Sequence, residues 1–307
     1  MGALDGTVAI VTGAGAGIGR AEALALAAHG AAVVVNDIGG AVDGSPARGT
    51  AADVVVAEIK DGGGRAVPNR GDISSWSACR ELVDQAVEEL GGLDIVVSNA
   101  GIVRRGRIDE VSEDDVDALT AVLAKGTVGV LHHSFRWWGG EHRRGFGRPR
   151  TAVVTSSSAG VPGGVREFGV YGAMKAAVAA LTMTAALEMR ALDVTVNAIC
   201  PHAATRMDAF AKELAFDPAS ERDPGSPTSP VHVADFVSWL VSPDARHLTG
   251  QVFEVGGGLV RLWRPWSPAG EVQRDGRWQP AEIGMALATD VYRTMPGGRT
   301  IQRGADQ

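Results

Sequence analysis

The residues best equipped for chemistry are Tyr171 and Lys175, in Tyr171-Gly172-Ala173-Met174-Lys175, with Ser156-Ser157-Ser158 one loop upstream. A four-residue spacing puts phenol and ammonium on one face of a helix, about 6 Å apart at their roots. A fixed cation beside a phenol favours the phenolate, so it should draw the tyrosine below its ordinary value of about 10. A tyrosine tuned in this way exchanges a proton with an alcohol or a carbonyl. By itself the pair is a weak signal, because tyrosine and lysine four apart also occur as exposed surface pairs. Its meaning depends on the elements that position it.

Those elements start near the N-terminus. Thr7-Val8-Ala9-Ile10-Val11 is a β-branched run with the length of a buried strand, and Thr12-Gly13-Ala14-Gly15-Ala16-Gly17-Ile18-Gly19 follows it at once. An alanine- and leucine-rich helix then runs to about His29. Strand, glycine loop and helix together make a pyrophosphate cradle from backbone N–H groups and a helix N-terminus. The glycines fit T-G-x-x-x-G-x-G rather than G-x-G-x-x-G, since Ile18 occupies the place of the third glycine. The second strand, Ala32–Asn36, ends at Asp37, an acidic residue where a carboxylate would accept hydrogen bonds from adenine-ribose hydroxyls and repel a 2′-phosphate. The first arginine after it is Arg48, so the cofactor expected is NAD.

Further strands are expected at 65–69, 93–98, 152–155, 194–199 and 251–255, alternating with helices. Asp72 and Ile73 follow the third strand, where the acid could meet an adenine amino group, and Ser74 is a candidate cap for the next helix. The fourth strand opens into Asn99-Ala100-Gly101, and Ser112 with Asp115 forms a capping-box pattern for a helix reaching Trp138. Strands and helices alternating over such short connections imply one α/β domain, a Rossmann-type doubly wound parallel sheet of seven strands with helices on both faces. That domain is expected over residues 1–260, with a proline-rich flap at about 206–230 carrying Pro218, Pro224, Pro227 and Pro230. Residues 261–307 are a C-terminal extension whose Trp263, Trp266 and Trp278 need burial on the domain or on a neighbouring subunit.

Composition narrows the function classes. Charged residues are 21% of the chain and the net charge is −7, so a nucleic-acid partner is not expected, despite the basic Gly139–Arg150 stretch. Cys79 and Cys200 have no metal-ligand spacing, and no metal is expected. No uninterrupted apolar run approaches the roughly 18 residues needed to span a bilayer, and no signal peptide is visible, so the expected location is the cytoplasm, with no membrane partner.

In sum, the ordered set Thr12–Gly19, Asp37, Asp72, Asn99–Gly101, the serine run, Tyr171/Lys175 and Pro201 with Thr205 resembles the short-chain dehydrogenase/reductase family over residues 1 to about 260. Val33-Val34-Val35-Asn36-Asp37-Ile38-Gly39-Gly40 is also similar to the NAD-using hydroxyacyl-CoA and 17β-hydroxysteroid branch, whose actinobacterial relatives carry a C-terminal extension. The resemblance implies an NAD-dependent oxidoreductase interconverting a secondary alcohol and a ketone. Tyr171 would be its general acid/base, Lys175 would lower the tyrosine pKa, and a serine would orient the substrate oxygen. It implies a cofactor site of Gly13, Ala16, Gly17, Ile18, Gly19, Asp37, Asp72, Ile73, Asn99, Ala100, Gly101, Tyr171, Lys175, Pro201 and Thr205. A homodimer or homotetramer is implied as well, paired through the alanine-rich Tyr171 helix.

Three departures from the family pattern stand out. Counting back thirteen residues from Tyr171 gives Ser158, whereas matching Ser-x-Ala-Gly gives Ser157; we prefer Ser157, because a turn absorbs an insertion more easily than a strand end shifts register. Leu123 stands where the family often has an asparagine that supports a water-linked proton path to the lysine. His202 replaces the glycine after Pro201 and is either a substrate contact or an ordinary loop histidine. Two alternatives to the dehydrogenase reading are a tailoring enzyme with a net non-redox reaction and a nucleotide-binding relative without turnover.

Overall fold

The computed structural model describes residues 2–45, 50–211, 223, 225–264, 267–268 and 270–288. Arg48, Trp266, Pro218 and Pro224 lie outside them. Two compact units divide the chain, Met1–Trp263 and Arg264–Gln307.

In the first unit the strands are β1 (Val8–Thr12), β2 (Ala32–Asn36), β3 (Arg65–Asn69), β4 (Ile95–Ser98), β5 (Arg150–Thr155), β6 (Val194–Pro201), β7 (Val252–Gly256) and β8 (Leu259–Trp263). Their order across the sheet is β3-β2-β1-β4-β5-β6-β7-β8. The first seven pair in parallel, and β8 adds to β7 antiparallel. The sheet therefore has eight strands rather than seven, and residues 261–263 belong to the sheet rather than to the extension. Gly257 and Gly258 join β7 to β8 with φ of +55° and +81°, the left-handed backbone that a two-residue hairpin turn demands at both positions.

The central strands are apolar without interruption because both faces are covered. Successive side chains point to opposite faces, so Val8, Ile10 and Val34 enter one core while Ala9, Val11, Val33 and Val35 enter the other. The first core is closed by α3 (Trp76–Leu90), α5 (Thr127–Arg143) and α6 (Gly169–Met189). The second is closed by α1 (Gly17–Ala28), α2 (Ala51–Asp61) and α8 (Val231–Leu240). This is the doubly wound arrangement the alternating elements imply. Strand order reverses between β1 and β4, which opens a crevice at their carboxyl ends.

Some boundaries differ from the sequence expectation. The cap of α3 is Ser75, whose hydroxyl accepts from the Ala78 N–H, whereas the Ser74 N–H donates to Asp72 Oδ1 in the preceding turn. Ser112 and Asp115 do form the capping box of α4 (Glu113–Leu119). The helix beyond continues past Trp138 to Arg143 and is interrupted by a π-helical stretch, Thr120–Gly126. Of the flap, residues Arg206–Ala211 are helical (α7), and the returning chain is held where the Ala204 N–H donates to the Thr228 carbonyl at 2.7 Å. In the second unit, α9 (Pro280–Ala286) has its own capping box from Gln279 and Glu282, and Arg274 stacks 5.4 Å over Trp278.

One helix among the described residues, Gly169–Leu192, is long and apolar enough to cross a membrane by length and composition, with a mean hydropathy of 1.4. Its apolar side is spent on the core, through Val178, Ala179, Ala185, Ala186 and Met189.

Glu22 is the least expected core residue. It lies on α1 fully buried, with neither carboxyl oxygen hydrogen-bonded, and burial pushes its pKa up to about 8. The folded state therefore holds a proton that the unfolded chain releases near its ordinary value of about 4.3. Stability contributed by the neutral acid is complete below that value and is lost as pH rises through about 8. Glu22→Gln keeps the shape and removes the titration. Thermal melts should show it little different from wild type near pH 4 and increasingly more stable as pH rises to about 8. A pH-independent difference would show that Glu22 stays ionised when folded.

Candidate active site

A cavity of about 990 Å³ lies at the carboxyl ends of β1, β2, β4, β5 and β6. The strand ends bring to its wall Gly13, Ala16, Gly17, Ile18, Asp37, Asp72, Ile73, Asn99, Ala100, Gly101, Ser157, Tyr171, Lys175, Pro201 and Thr205, together with Ser158. Gly19 alone of the expected residues does not line it. A side chain there would meet the Gly13 carbonyl oxygen at 2.3 Å and Asn99 Nδ2 at 2.5 Å, so Gly19 serves the packing of α1 against the loop.

The glycine loop is tied to the neighbouring strand. Thr12 Oγ1 accepts from the N–H groups of Asn99 (3.1 Å) and Ala100 (3.0 Å), and Asn99 Nδ2 donates to the carbonyls of Thr12 and Gly13. The amide of Asn99 is thus occupied in joining β1 to β4. Ala16 precedes α1 and supplies no side-chain cap, and the helix N-terminus opens beside the cavity at Ala16, Gly17 and Ile18. Asp37 is anchored by its backbone surroundings: Gly15 N–H donates to Oδ2 at 2.8 Å and Gly39 N–H to Oδ1 at 2.6 Å. A side chain at Gly15 would stand 2.8 Å from that carboxylate, so glycine is required for the approach. A glycine cradle, a helix N-terminus at the cavity wall and a fixed acid at the end of β2 fit a dinucleotide.

The reactive end is built where β5 meets α6. Lys175 is buried, its Nζ donating to the Thr155 carbonyl at 2.6 Å, while Ser156 Oγ donates back to the Lys175 carbonyl at 2.7 Å. Gly172 lets the serine loop close in, since a side chain there would lie 2.6 Å from the Ala159 carbonyl oxygen. Tyr171 is also buried, and the serine whose side chain bears on the charge of its phenol is Ser157. Ser158 reaches the cavity wall without that influence among those described. The Ser157 hydroxyl also accepts from the Ala159 N–H at 3.1 Å.

The electrostatics differ from the sequence expectation. Burial pushes the Tyr171 phenol up to about 12, against the opposing hydrogen bond from Ser157. Burial likewise brings the Lys175 ammonium down to about 8. Its Nζ stands 5.9 Å from the Tyr171 ring centre and is bonded to a backbone carbonyl. Desolvation penalises both charged forms and here outweighs the attraction that spacing alone suggests. At neutral pH the phenol keeps its proton.

Leu123 is buried in the π-helical stretch and packs in one cluster with Ile102, Val103, Leu119 and Tyr171. A side chain on Gly101 would sit 3.2 Å from Leu123 Cδ2 and 3.7 Å from Lys175 Nζ, so apolar surface flanks the lysine. Sequence reasoning missed Phe168, which lines the cavity with its ring edge-on to Tyr171 at 6.0 Å. Arg105 stacks 5.9 Å from that ring and pairs with Glu167 at 2.5 Å, and it shapes the pocket through Phe168 rather than by lining it. Aromatic residues near a turn are too common for sequence to single this one out. His202 lines the cavity as well, with Nε2 2.7 Å from Glu254 Oε1.

Comparison with known proteins agrees with this geometry. A family model described as enoyl-(acyl carrier protein) reductase matches residues 13–260. The hydroxyacyl-CoA dehydrogenase ChsB1 of Mycobacterium tuberculosis is 41% identical over 92% of this chain and 88% of its own. Peroxisomal multifunctional enzyme type 2 of Mus musculus is 36% identical over 83% of this chain, which corresponds to 32% of that longer protein. The crystal structure of a short-chain dehydrogenase from Mycobacterium avium superposes with a TM-score of 0.86, at 42% identity, covering 97% of this chain and 98% of that one. Two further neighbours at a TM-score of 0.69 and 30% identity, each covering 83% of this chain, are a short-chain dehydrogenase from Burkholderia cenocepacia in complex with NADP and a 7α-hydroxysteroid dehydrogenase with NADH; this chain matches 98% and 94% of them. The chain belongs to the short-chain dehydrogenase/reductase family, oxidoreductases that act on CH–OH groups.

Proposed function

We propose that this protein interconverts a secondary alcohol and a ketone with NAD as its cofactor. The observation that carries the reading is the meeting of Ser157, Tyr171 and buried Lys175 in the wall of the cavity that Asp37 and the glycine loop also line. A bound nicotinamide dinucleotide supplies the hydride chemistry. The anchored carboxylate of Asp37 supports NAD, because a 2′-phosphate would face a fixed negative charge.

The remaining work falls to side chains of this chain. In ketone reduction, Ser157 holds the carbonyl oxygen while Tyr171, whose phenol is protonated at neutral pH, gives that oxygen its proton. In alcohol oxidation the same phenol oxygen must first lose its proton. The Lys175 ammonium then favours the phenolate across the short gap between the two side chains. Ile102, Val103 and Phe168 line the cavity and give it apolar walls suited to a carbon skeleton. The buried, apolar Leu123 favours a second reading, a reaction without net redox change in which the phenol's proton need not exchange rapidly with solvent.

Four measurements test these readings. With a panel of hydroxysteroids, terpene alcohols and hydroxyacyl thioesters, wild type should form NADH from NAD and far less NADPH from NADP. Tyr171→Phe should lower kcat/KM by about 10²–10⁴-fold and leave NAD affinity nearly unchanged; equal rates for the two proteins would sink the assignment of Tyr171. In carbonyl reduction, giving up the proton leaves a phenolate that the Lys175 ammonium stabilises, and the charged lysine is present only below its lowered pKa. Hence kcat/KM should be flat below about pH 8 and fall as pH rises through it. A plateau continuing to about pH 10 would show that this charge is not needed. Leu123→Asn should raise dehydrogenase turnover if its apolar side chain limits proton exchange, and an unchanged rate would remove the support for the second reading.

A further inference from the structure

One polar cluster reaches the cavity through a single residue and has no part in the chemistry above. His202 follows Pro201 at the end of β6 and lines the same cavity as Ser157 and Tyr171. Its backbone N–H donates to the Val255 carbonyl at 2.8 Å. A side chain at Gly256 would lie 2.1 Å from the His202 carbonyl oxygen, so glycine is needed for the two strand ends to meet. The ring is held just as firmly, by its Nε2 contact with Glu254 Oε1.

Glu254 is itself fully engaged. It is buried on β7, and its other oxygen, Oε2, accepts from Arg261 Nη1 at 2.6 Å and Trp263 Nε1 at 3.0 Å, both on β8. Burial pushes its carboxyl up, but the hydrogen bonds of His202 and Arg261 outweigh this and hold it below the ordinary range. A carboxylate cannot donate, so in the neutral imidazole the proton sits on Nε2. Nδ1 then presents a lone pair, and no described residue is bonded to it. The antiparallel β8 thereby acquires a role beyond the sheet: its two polar side chains brace the acid that sets the histidine tautomer.

We propose that His202 is a specificity-determining residue of the cleft, its Nδ1 accepting a hydrogen bond from a second hydroxyl or N–H on the substrate, with Glu254, Arg261 and Trp263 as its positioning residues. This rests on the alcohol–ketone reading above. The substrate class it names is an apolar ketone or alcohol that carries one further hydrogen-bond donor. A donor bound by an oriented acceptor beside the apolar walls of Ile102, Val103 and Phe168 is discriminated strongly, because its loss leaves the acceptor unpaired.

Hydroxyketones and their O-methyl ethers separate the possibilities, since methylation removes the donor and leaves an oxygen acceptor. Wild type should favour the free hydroxyketone over its ether by about tenfold, mainly in KM. His202→Gln keeps an N–H for Glu254 but has no acceptor at the Nδ1 position, and it should lose the preference with kcat preserved. His202→Asn places an amide oxygen near Nδ1 and should retain most of the preference. Glu254→Ala should lose it as His202→Gln does. NAD affinity, followed by ligand-induced fluorescence, checks that each variant is folded; should Glu254→Ala not fold, the two His202 variants carry the test. No preference in wild type, or an undiminished preference in His202→Gln, would overturn the proposal and leave the dehydrogenase reading standing. Absence of turnover on every ketone with either nicotinamide would overturn that reading and this inference with it.

Discussion

A buried lysine is the constraint on which the rest of this site depends. An ammonium removed from water must find partners or lose its charge, and Lys175 meets both demands in part. It donates to the Thr155 carbonyl and is stitched back to β5 through Ser156, while burial lowers it to about 8. Those two hydrogen bonds fix the first turns of α6 against the end of β5. With α6 fixed, Tyr171 has one place to stand, and the loop after β5 delivers Ser157 to it. The reactive geometry follows from the satisfaction of one charge.

The same logic of tied strand ends extends across the sheet. Thr12 and Asn99 join β1 to β4 at the point where strand order reverses, which holds open the crevice that the glycine loop borders. Asn36 bonds Asn69 at 2.7 Å and joins β2 to β3 below Asp37. His202, Glu254, Arg261 and Trp263 join β6, β7 and β8. Side chains that look like separate polar residues along the chain are thus the clamps of one rim. They confer rigidity where the core gives no help, because the carboxyl ends of the strands lie beyond its apolar contacts.

Desolvation is the opposing influence. It raises Tyr171 and lowers Lys175, so the phenol rests protonated. It also leaves Glu22 neutral within the core. Leu123 and Phe168 add to it at the reactive end, trading solvent access for an apolar pocket. A site of this kind holds the proton it donates and depends on the charge of its lysine whenever the phenolate forms, in either direction.

Much of this was legible in the chain because the relevant periods are local. A separation of four residues placed Tyr171 and Lys175 on one helical face, and two-faced apolar runs marked the parallel strands. The glycine spacing identified the cradle, and Asp37 followed from its distance beyond it. The Gly257-Gly258 turn into Leu259–Trp263 was equally local and was overlooked, because the glycines read as the end of the sheet rather than as a hairpin. Other features had no local signature. Whether Ser157 or Ser158 meets the phenol depends on how a loop folds against α6. The partner of His202 lies 52 residues away on another strand. The balance between charge attraction and burial at Tyr171 is set by everything packed around it. Residue types and spacings were therefore enough to specify the chemistry available to this protein. Which atoms meet, and how far water is kept from them, was decided only when distant strands were brought side by side.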